Sequence, residues 1–164
     1  MSTRLLLISD THVPQRASAL PDSVWRAIDA AEVVFHAGDW VGAELLEQLE
    51  RRTPRVIGVC GNNDPDLRTR LPEIARVEVD GIRFAMIHQT GQADGREKRC
   101  DLQFPDVAVL VFGHSHIPWD SISPNGLRLL NPGSPTDHRK EPAGTYLTAI
   151  ADCGVLHDVV LHAV

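Results

Sequence analysis

Short apolar runs that alternate with helix-like segments constrain the fold of this chain more than any other feature of its sequence. Leu5 to Ile8 is a continuous apolar run, as expected for a strand buried on both faces, and Val33 to Ala37 and Val56 to Val59 are further strand candidates. Between them, apolar residues recur at helical spacing in Leu20 to Ala31 and in Ala43 to Arg52. Because parallel neighbours need a crossover connection, this alternation predicts a largely parallel sheet covered by helices.

The second half of the chain shows a hairpin pattern. Asp80-Gly81 lies between Val77 to Val79 and Ile82 to Ile87, and both turn residues tolerate positive φ. Asn125-Gly126 marks a second hairpin. We therefore expect antiparallel strands here. The other predicted elements are a helix over Arg96 to Gln103 and strands over Val107 to Phe112, Thr145 to Ala151 and Val155 to Leu161.

Length and charge narrow the class of protein. The 164 residues suit one domain, which we expect to cover residues 1 to 164. No segment approaches the roughly 18 apolar residues of a membrane span, and Asp10 follows the first apolar run too closely for a signal peptide. The net charge of −6 argues against a nonspecific nucleic-acid-binding surface. We expect a cytoplasmic protein with reduced thiols at Cys60, Cys100 and Cys153.

Seven polar side chains follow the predicted strands, each in the loop directly after an apolar run. Ligands of open α/β sheets bind beyond the carboxyl ends of the strands, so these side chains should meet at one edge. Their mixed nitrogen and oxygen donors suit manganese, iron, zinc, cobalt or nickel better than calcium or magnesium. The pattern predicts a two-metal phosphoesterase centre built from Asp10, His12, Asp39, Asn62, His88, His114 and His116.

The motifs that hold these residues resemble, in kind and in order, those of the calcineurin-like metallophosphoesterases. The short length and Asn131-Pro132-Gly133-Ser134 are similar to the small single-domain phosphodiesterase branch, which includes the retromer scaffold subunit. The matching motifs are Asp10-Thr11-His12, Gly38-Asp39, Gly61-Asn62-Asn63-Asp64, His88 and Gly113-His114-Ser115-His116.

The resemblance implies a four-layer α/β/β/α sandwich, in which helices flank two mixed β-sheets and a dimetal site lies at the carboxyl ends of the strands. It implies two divalent ions, with manganese expected and iron, zinc, nickel or cobalt as alternatives. Asp39 would bridge the ions, because a carboxylate has two oxygens and can span metals roughly 3.5–4 Å apart. The first ion would be held by Asp10, His12, Asp39 and His116, and the second by Asp39, Asn62, His88 and His114.

The implied function is hydrolysis of a phosphodiester by a hydroxide that bridges the metals, with Asn62 and Asn63 binding the substrate. Two divalent cations outweigh the charges of Asp10 and Asp39, so an acidic protein can still attract a small phosphoester. The alternatives are a phosphomonoesterase or phosphatase, and a weakly catalytic metal-binding scaffold. We expect no nucleic-acid or membrane partner, and homo-oligomerisation is left open.

Asn63 occupies a catalytic position where many relatives have a histidine that is proposed to protonate the leaving group. An amide donates a hydrogen bond but no proton, so poor leaving groups should lose the ~10²–10⁴-fold typical of general acid catalysis. A second departure follows His88, where Gln89-Thr90-Gly91 replaces the glycine and histidine common in relatives. We expect His36 to have a local partner, Trp40 to pack, and surface roles for Arg68, Arg70, Arg96 and Arg99.

Overall fold

The chain forms ten β-strands, three α-helices and one short 3₁₀ turn in a computed structural model that describes residues 1–164. The helices are α1 (Asp22–Ala30), α2 (Ala43–Arg52) and α3 (Arg96–Gln103). The strands are β1 (Ser2–Ile8), β2 (Val33–His36), β3 (Arg55–Gly58), β4 (Ile74–Val79), β5 (Ile82–Ile87), β6 (Val109–Val111), β7 (Trp119–Ile122), β8 (Arg128–Asn131), β9 (Thr145–Asp152) and β10 (Val155–Ala163).

The first sheet joins the three predicted parallel strands to two strands from the end of the chain. Its order is β10-β9-β1-β2-β3, with β1, β2 and β3 parallel and β9 antiparallel to both of its neighbours. Alternate residues of β1 face opposite sides. Leu6 and Ile8 pack with the residues of α1 and α2, whereas Leu5 and Leu7 pack towards the second sheet. Burial on both faces explains the continuous apolar run of β1.

The second sheet has the order β4-β5-β6-β8-β7 and contains both predicted hairpins. Asp80 and Gly81 have φ of 45° and 80° in the turn between β4 and β5, as a tight hairpin requires. The strands β7 and β8 pair antiparallel, while β5, β6 and β8 are parallel. Phe35 of β2 and Phe84 of β5 pack with tilted rings, whose centres lie 4.9 Å apart, in the core between the sheets.

The helices cover the two outer faces. The helices α1 and α2 pack on the first sheet, and Cys100 and Phe104, in α3 and directly after it, pack with Leu110 and Leu129 of the second. The layers are therefore α/β/β/α, and the predicted fold is confirmed. None of the α-helices has the length and apolar content needed to cross a membrane.

Two predicted elements differ from the structure. The strand predicted over Val107 to Phe112 is limited to Val109–Val111. The amides of Ala108 and Phe112 still donate to the carbonyls of Arg83 and Leu130, so both ends stay bonded to the neighbouring strands. The third strand is followed only by the 3₁₀ turn Pro65–Leu67, where the sequence suggested a third strand-helix unit. The chain then crosses to the second sheet, so it needs no long crossover helix.

Arg96 contradicts the expectation that the arginines lie on the surface. Its side chain is 6% exposed, and its guanidinium carbon lies 4.8 Å from the ring centre of Phe112 and 4.5 Å from that of Trp119. A guanidinium stacks favourably on aromatic faces, which allows burial without an acidic partner. Its Nη2 donates to the carbonyl of Gly91. Arg68 and Arg70 form exposed ion pairs, and Arg99 donates to carbonyls of the loop before α3.

We expect Arg96→Ala to lower the free energy of unfolding by about 2 kcal/mol, because it removes packing between two aromatic rings. The matched control is Arg55→Ala, whose side chain is exposed at the start of β3. Its effect should stay within about 0.5 kcal/mol. Urea denaturation measures both values. Equal effects in the two variants would contradict the packed role of Arg96.

Candidate metal centre

Backbone hydrogen bonds between loops bring the candidate ligands together. The amide of Asp10, after β1, donates to the carbonyl of Gly38 at 2.9 Å, and the amide of His12 donates to the carbonyl of Asp39 at 3.1 Å. In the second sheet, the amide of Gly113 donates to the carbonyl of His88 at 2.9 Å. The loops after β1, β2, β5 and β6 therefore meet at the edge where the carboxyl ends of both sheets lie.

Five of the seven candidate ligands have a left-handed backbone. Such a conformation costs an L-residue about 1–2 kcal/mol, and clusters of it mark sites where the surrounding structure enforces a functional geometry. These residues are Asp10 (φ 54°), His12 (φ 45°), Asp39 (φ 60°), His114 (φ 75°) and His116 (φ 62°).

The carboxylate of Asp10 has one satisfied and one free oxygen. Its Oδ2 accepts hydrogen bonds from Ser9 Oγ at 2.7 Å and from the amide of His114 at 3.0 Å. Its Oδ1 faces two imidazoles, 3.5 Å from Nε2 of His116 and 3.9 Å from Nε2 of His88. Asp10 therefore presents one oxygen to the site.

The carboxylate of Asp39 lies between two imidazoles. Its Oδ2 is 3.5 Å from Nε2 of His12 and 3.4 Å from Nε2 of His88. Asn63 fixes this carboxylate with two hydrogen bonds, both 3.0 Å long. Its backbone amide donates to Oδ1, and its side-chain Nδ2 donates to Oδ2. Asp39 is thus held at a similar distance from His12 and His88.

Backbone carbonyls orient two of the imidazoles. Nδ1 of His88 bonds the carbonyl of Ala37 at 2.7 Å, and Nδ1 of His116 bonds the carbonyl of Asp137. A carbonyl only accepts, so each Nδ1 carries a hydrogen and the Nε2 of a neutral ring turns its lone pair towards the carboxylates.

Four buried atoms at this place have no hydrogen-bond partner. They converge within the site, and each has a lone pair in the ionised carboxylate or the neutral imidazole form. Buried acceptors without a donor are costly, and a bound cation removes that cost. The residues therefore fit a metal site. The four atoms are Asp10 Oδ1, His12 Nε2, His88 Nε2 and His116 Nε2.

The candidate ligands form two overlapping groups. Asp10, His12 and His116 form one, and Asp10, Asp39 and His88 form the other, with the ligand atoms of each group within 4.8 Å of one another. Asp10 belongs to both groups, and the Oδ2 of Asp39 also reaches His12 of the first group. The bridge assigned to Asp39 stays a prediction.

His114 and Asn62 lie at the rim of these groups. The ring of His114 stands edge-on to that of His88, with centres 5.2 Å apart, and its side chain is exposed. Asn62 is also exposed and lines a cleft together with His88. The structure therefore brings five of the seven side chains into buried contact and leaves two facing outwards.

The surroundings shift the pKa values of the two carboxyls in opposite directions. Burial raises the pKa of Asp10 to about 7, although His88 and Ser9 partly oppose it. Burial would also raise the pKa of Asp39, but the close, charged imidazole of His88 and the two hydrogen bonds from Asn63 hold it well below its usual range.

The pKa values of the imidazoles also shift in different directions. Burial is the main cause that lowers the pKa of His12, His114 and His116, which favours the neutral form that binds metals. For His88, burial opposes protonation, but the close carboxylate of Asp39 and the charge of Asp10 outweigh it and raise the pKa.

Asp64 is a positioning residue whose role the sequence did not predict. It is fully buried, and its carboxylate accepts from the amides of Asp39, Val41 and Gly61, each at 2.7 Å. These bonds tie the loop after β2 to the loop after β3. The one signal in the sequence is its place at the end of the Gly61 to Asp64 motif.

The loop after β8 supports the site from the other side. Ser134 Oγ donates to the carbonyl of Asp10 at 2.8 Å, and Thr136 Oγ1 donates to that of Thr11 at 2.6 Å. These hydroxyl groups hold two left-handed turns in place. Ser134 belongs to the motif noted in the sequence, whereas Thr136 carried no signal.

Two motif glycines are required because neighbouring side chains approach their Cα atoms closely. A Cβ on Gly61 would overlap the Oδ1 of Asp39, and a Cβ on Gly113 would overlap Ser9 Oγ and lie 2.6 Å from Oδ2 of Asp10. The glycines that precede Asn62 and His114 therefore make room for the two carboxylates.

His36 and Trp40 have structural roles. His36 bonds Thr11 Oγ1 through Nε2 and accepts from the amide of Gly38 through Nδ1, so its expected local partner is confirmed. Trp40 is fully buried and stacks on His36, with ring centres 3.6 Å apart. The packing predicted for Trp40 is also confirmed, and its ring supports the loop that holds Asp39.

Comparison with known proteins adds a family relationship. The sequence model described as the calcineurin-like phosphoesterase superfamily domain matches residues 3–153. A probable metallophosphoesterase of Methanothermobacter thermautotrophicus is 36% identical over 134 residues, covering 79% of this chain and 76% of that protein. A phosphodiesterase of Methanocaldococcus jannaschii is 26% identical over 169 residues, covering 92% of this chain and 90% of that protein.

Solved structures share the fold. A Thermotoga maritima protein has a TM-score of 0.78 and 33% identity, with 99% of each chain covered. The zinc complex of Vps29 from Entamoeba histolytica has a TM-score of 0.80 and 22% identity, with 98% of each chain covered. The likeness to Vps29 shows the fold alone.

We expect Asp10→Asn to stabilise the metal-free protein at neutral pH. The pKa of Asp10 rises from 3.8 to about 7 on folding, so ionising this carboxyl costs the folded state up to about 4 kcal/mol. Below pH 3.8 the group is protonated in both states and the cost vanishes. The cost grows as the pH rises towards 7 and is constant above it. Asparagine removes the charge and can still accept from Ser9 and His114.

Thermal unfolding in the presence of a chelator measures this effect. At pH 7 the variant should unfold roughly 8–16 °C above the wild type, and the difference should shrink to about 1–2 °C near pH 4. Asp66→Asn is the control, because Asp66 is exposed and should show no such pH dependence. A variant less stable than the wild type at pH 7 would contradict the cost assigned to Asp10.

Proposed function

The chain belongs to the calcineurin-like phosphoesterase superfamily, and from that premise we propose that it is a metal-dependent phosphodiesterase. One observation carries the proposal. The Oδ1 of Asp10 and the Nε2 atoms of His12, His88 and His116 are buried, unpaired and converge on one place. Such a donor set holds divalent cations of the manganese to zinc series.

We assign the donors to two ions as the sequence predicts. Asp39 would be the ligand common to both ions, because its Oδ2 lies almost equally far from the imidazoles of His12 and His88. Manganese is the proposed metal. When bound, such ions neutralise charge on the phosphoryl oxygens and supply a nucleophile from water at neutral pH. The first ion takes Asp10, His12, Asp39 and His116, and the second takes Asp39, Asn62, His88 and His114.

The residues at the rim bind the substrate phosphate. Asn62, Asn63 and His114 are exposed beside the buried carboxylates, so the nitrogens of their side chains can donate to nonbridging oxygens. Asn63 also holds Asp39 through two hydrogen bonds. Its amide orients the carboxylate and transfers no proton.

Arg139 adds positive charge to one flank of the site, whereas Arg16 is paired with an acid. Nε of Arg16 lies 3.9 Å from the carboxylate of Asp137, whose carbonyl bonds His116. After burial, the nearby Arg139 guanidinium is a further cause that lowers the pKa of His12, His114 and His116. The charge of Arg139 attracts an anionic substrate to an acidic protein.

The choice of a diester over a monoester rests on two supports. The Methanocaldococcus relative that covers most of this chain is a phosphodiesterase. The rim is also open, since His114 and Asn62 are exposed. A phosphate that carries two ester substituents can therefore bind there without a steric clash. A phosphomonoesterase would share the metal chemistry. Rates on a diester and a monoester with the same aryl leaving group discriminate between them, and we expect the diester to have the higher kcat/KM.

A scaffold protein is the alternative from another functional class. The likeness to Vps29 favours it only at the level of the fold. The presence of all seven candidate ligands favours catalysis. Stoichiometric metal binding without turnover of any phosphoester would support the scaffold and contradict the enzyme.

We expect Asp39→Ala to lower metal-dependent hydrolysis by more than about 100-fold, since even outer partners of metal ligands contribute about 10–100-fold. The fold should persist, because the core beneath Asp39 is unchanged. Metal analysis by mass spectrometry and turnover of an aryl phosphodiester measure the effect. Asp66→Ala, an exposed acid, is the control. Full turnover by Asp39→Ala would contradict the bridging assignment.

We expect Asn63→His to improve turnover mainly for poor leaving groups, because imidazole can protonate a departing oxygen and an amide cannot. The gain should approach the lower end of the ~10²–10⁴-fold range of general acids for alkoxide leaving groups and be small for nitrophenolate. A series of diesters with leaving groups of different pKa measures it. Equal changes across the series would show that position 63 has no link to proton transfer.

A further inference from the structure

A cleft of ≈ 420 Å³ opens beside the candidate metal centre, between the loop that follows β3 and the ends of β5 and α3. His88 and Asn62 belong both to the candidate ligands and to the wall of this cleft. A group attached to a phosphate at the centre can therefore extend into it. We call it the His88 cleft, and its polar lining comprises Asn62, Arg68, Glu73, His88, Gln89 and Gln103.

The charged side chains of the His88 cleft balance each other. Nη1 of Arg68 lies 4.0 Å from Oε1 of Glu73, and both side chains are largely exposed. The pair leaves no excess of either sign, unlike the flank that carries Arg139, for which no acidic partner lies within 4.0 Å. A second anionic group on the substrate would therefore gain little here, because charge complementarity is missing.

The amides of the cleft match hydroxyl groups. Gln89 directly follows His88, and Gln103 is the last residue of α3, and both side chains are exposed in the wall of the cleft. Each amide donates through its nitrogen and accepts through its oxygen. A hydroxyl also donates and accepts, so two amides can bind neighbouring hydroxyls without any charge.

The apolar part of the lining is aliphatic. It consists of Cys60, Ile74 and Ile87, and the imidazole of His88 is the one aromatic ring that lines the cleft. Single-stranded nucleic acids and their bases are bound by stacking on aromatic side chains. The cleft offers no such platform for a nucleobase, whereas Ile74 and Ile87 suit the C–H faces of a small polyol.

We propose that the His88 cleft binds one ester substituent of the substrate and selects a small neutral polyol, such as a glycerol or a sugar. Gln89 and Gln103 are the specificity-determining residues. This inference rests on the proposed phosphodiesterase function and adds the substrate class to it.

Two phosphodiesters with the same leaving group, 4-nitrophenol, test the proposal. One carries glycerol as its second substituent and the other carries a propyl group, so the ratio of their kcat/KM values reports on the cleft. For the manganese-loaded wild type we expect the glyceryl ester to be favoured by about 10–30-fold, as two neutral hydrogen bonds would give.

Two variants test whether the preference for the glyceryl ester depends on the amides of the His88 cleft. In the double variant Gln89→Leu and Gln103→Leu the ratio should fall to about one, because leucine keeps the bulk and removes both amides. Surface substitutions of this kind leave stability within about 0.5 kcal/mol. Gln48→Leu is the matched control, since Gln48 lies on α2 outside the cleft and the ratio should stay at its wild-type value.

A binding measurement gives a second readout. Titration calorimetry of the manganese-loaded protein with glycerol phosphate and with propyl phosphate should show the same preference and the same loss in the double variant. Hydrolysis of both esters at equal kcat/KM, or a preference that survives in the double variant, would overturn the cleft assignment and leave the phosphodiesterase standing. Hydrolysis of neither ester by metal-loaded protein would overturn both.

Discussion

The architecture of this protein depends on one electrostatic constraint, which is that acceptor atoms are held together in its interior without a donor between them. Oδ1 of Asp10 and Nε2 of His116 are buried 3.5 Å apart, and neither has a hydrogen-bond partner. Such a contact raises the free energy of the folded state unless a cation or a proton joins the two atoms. The raised pKa of Asp10 expresses the same fact, since its carboxyl is costly to ionise where it lies. The rest of the fold has to hold these groups against that cost.

The packing between the two sheets supplies the necessary rigidity. Asp39 lies four residues after Phe35 of β2, and His88 lies four residues after Phe84 of β5. The centres of the two phenyl rings lie 4.9 Å apart in the core, and the Oδ2 of Asp39 and the Nε2 of His88 lie 3.4 Å apart at the edge. The separation of the sheets in the core therefore sets the separation of ligands that come from different sheets. Asp64 then ties the loop that holds Asp39 to the loop after β3.

The sequence predicts what depends on local pattern and fails where tertiary contacts decide. The apolar run of Leu5 to Ile8 and the turn residues Asp80-Gly81 carry their own structural signal, and the motifs carry the family and its fold. The left-handed φ of Asp10 has no such signal, because aspartate favours that conformation only weakly. Arg96 was misplaced on the surface, since its burial depends on two aromatic rings that lie far from it in the chain. The three bonds of Asp64 depend on loops that meet only in the folded protein, so its positioning role could not be predicted.

The surroundings of the centre divide recognition between charge and hydrogen bonding. Arg139 adds positive charge on the side of His12 and His116, which favours an anion. The His88 cleft lies on the other side and carries amides and a balanced ion pair. Asn63 donates two hydrogen bonds to Asp39, and an amide has no proton to give to a leaving group. In the proposed phosphodiesterase, selectivity would therefore arise from the substituent that remains on phosphorus and from the stability of the departing anion.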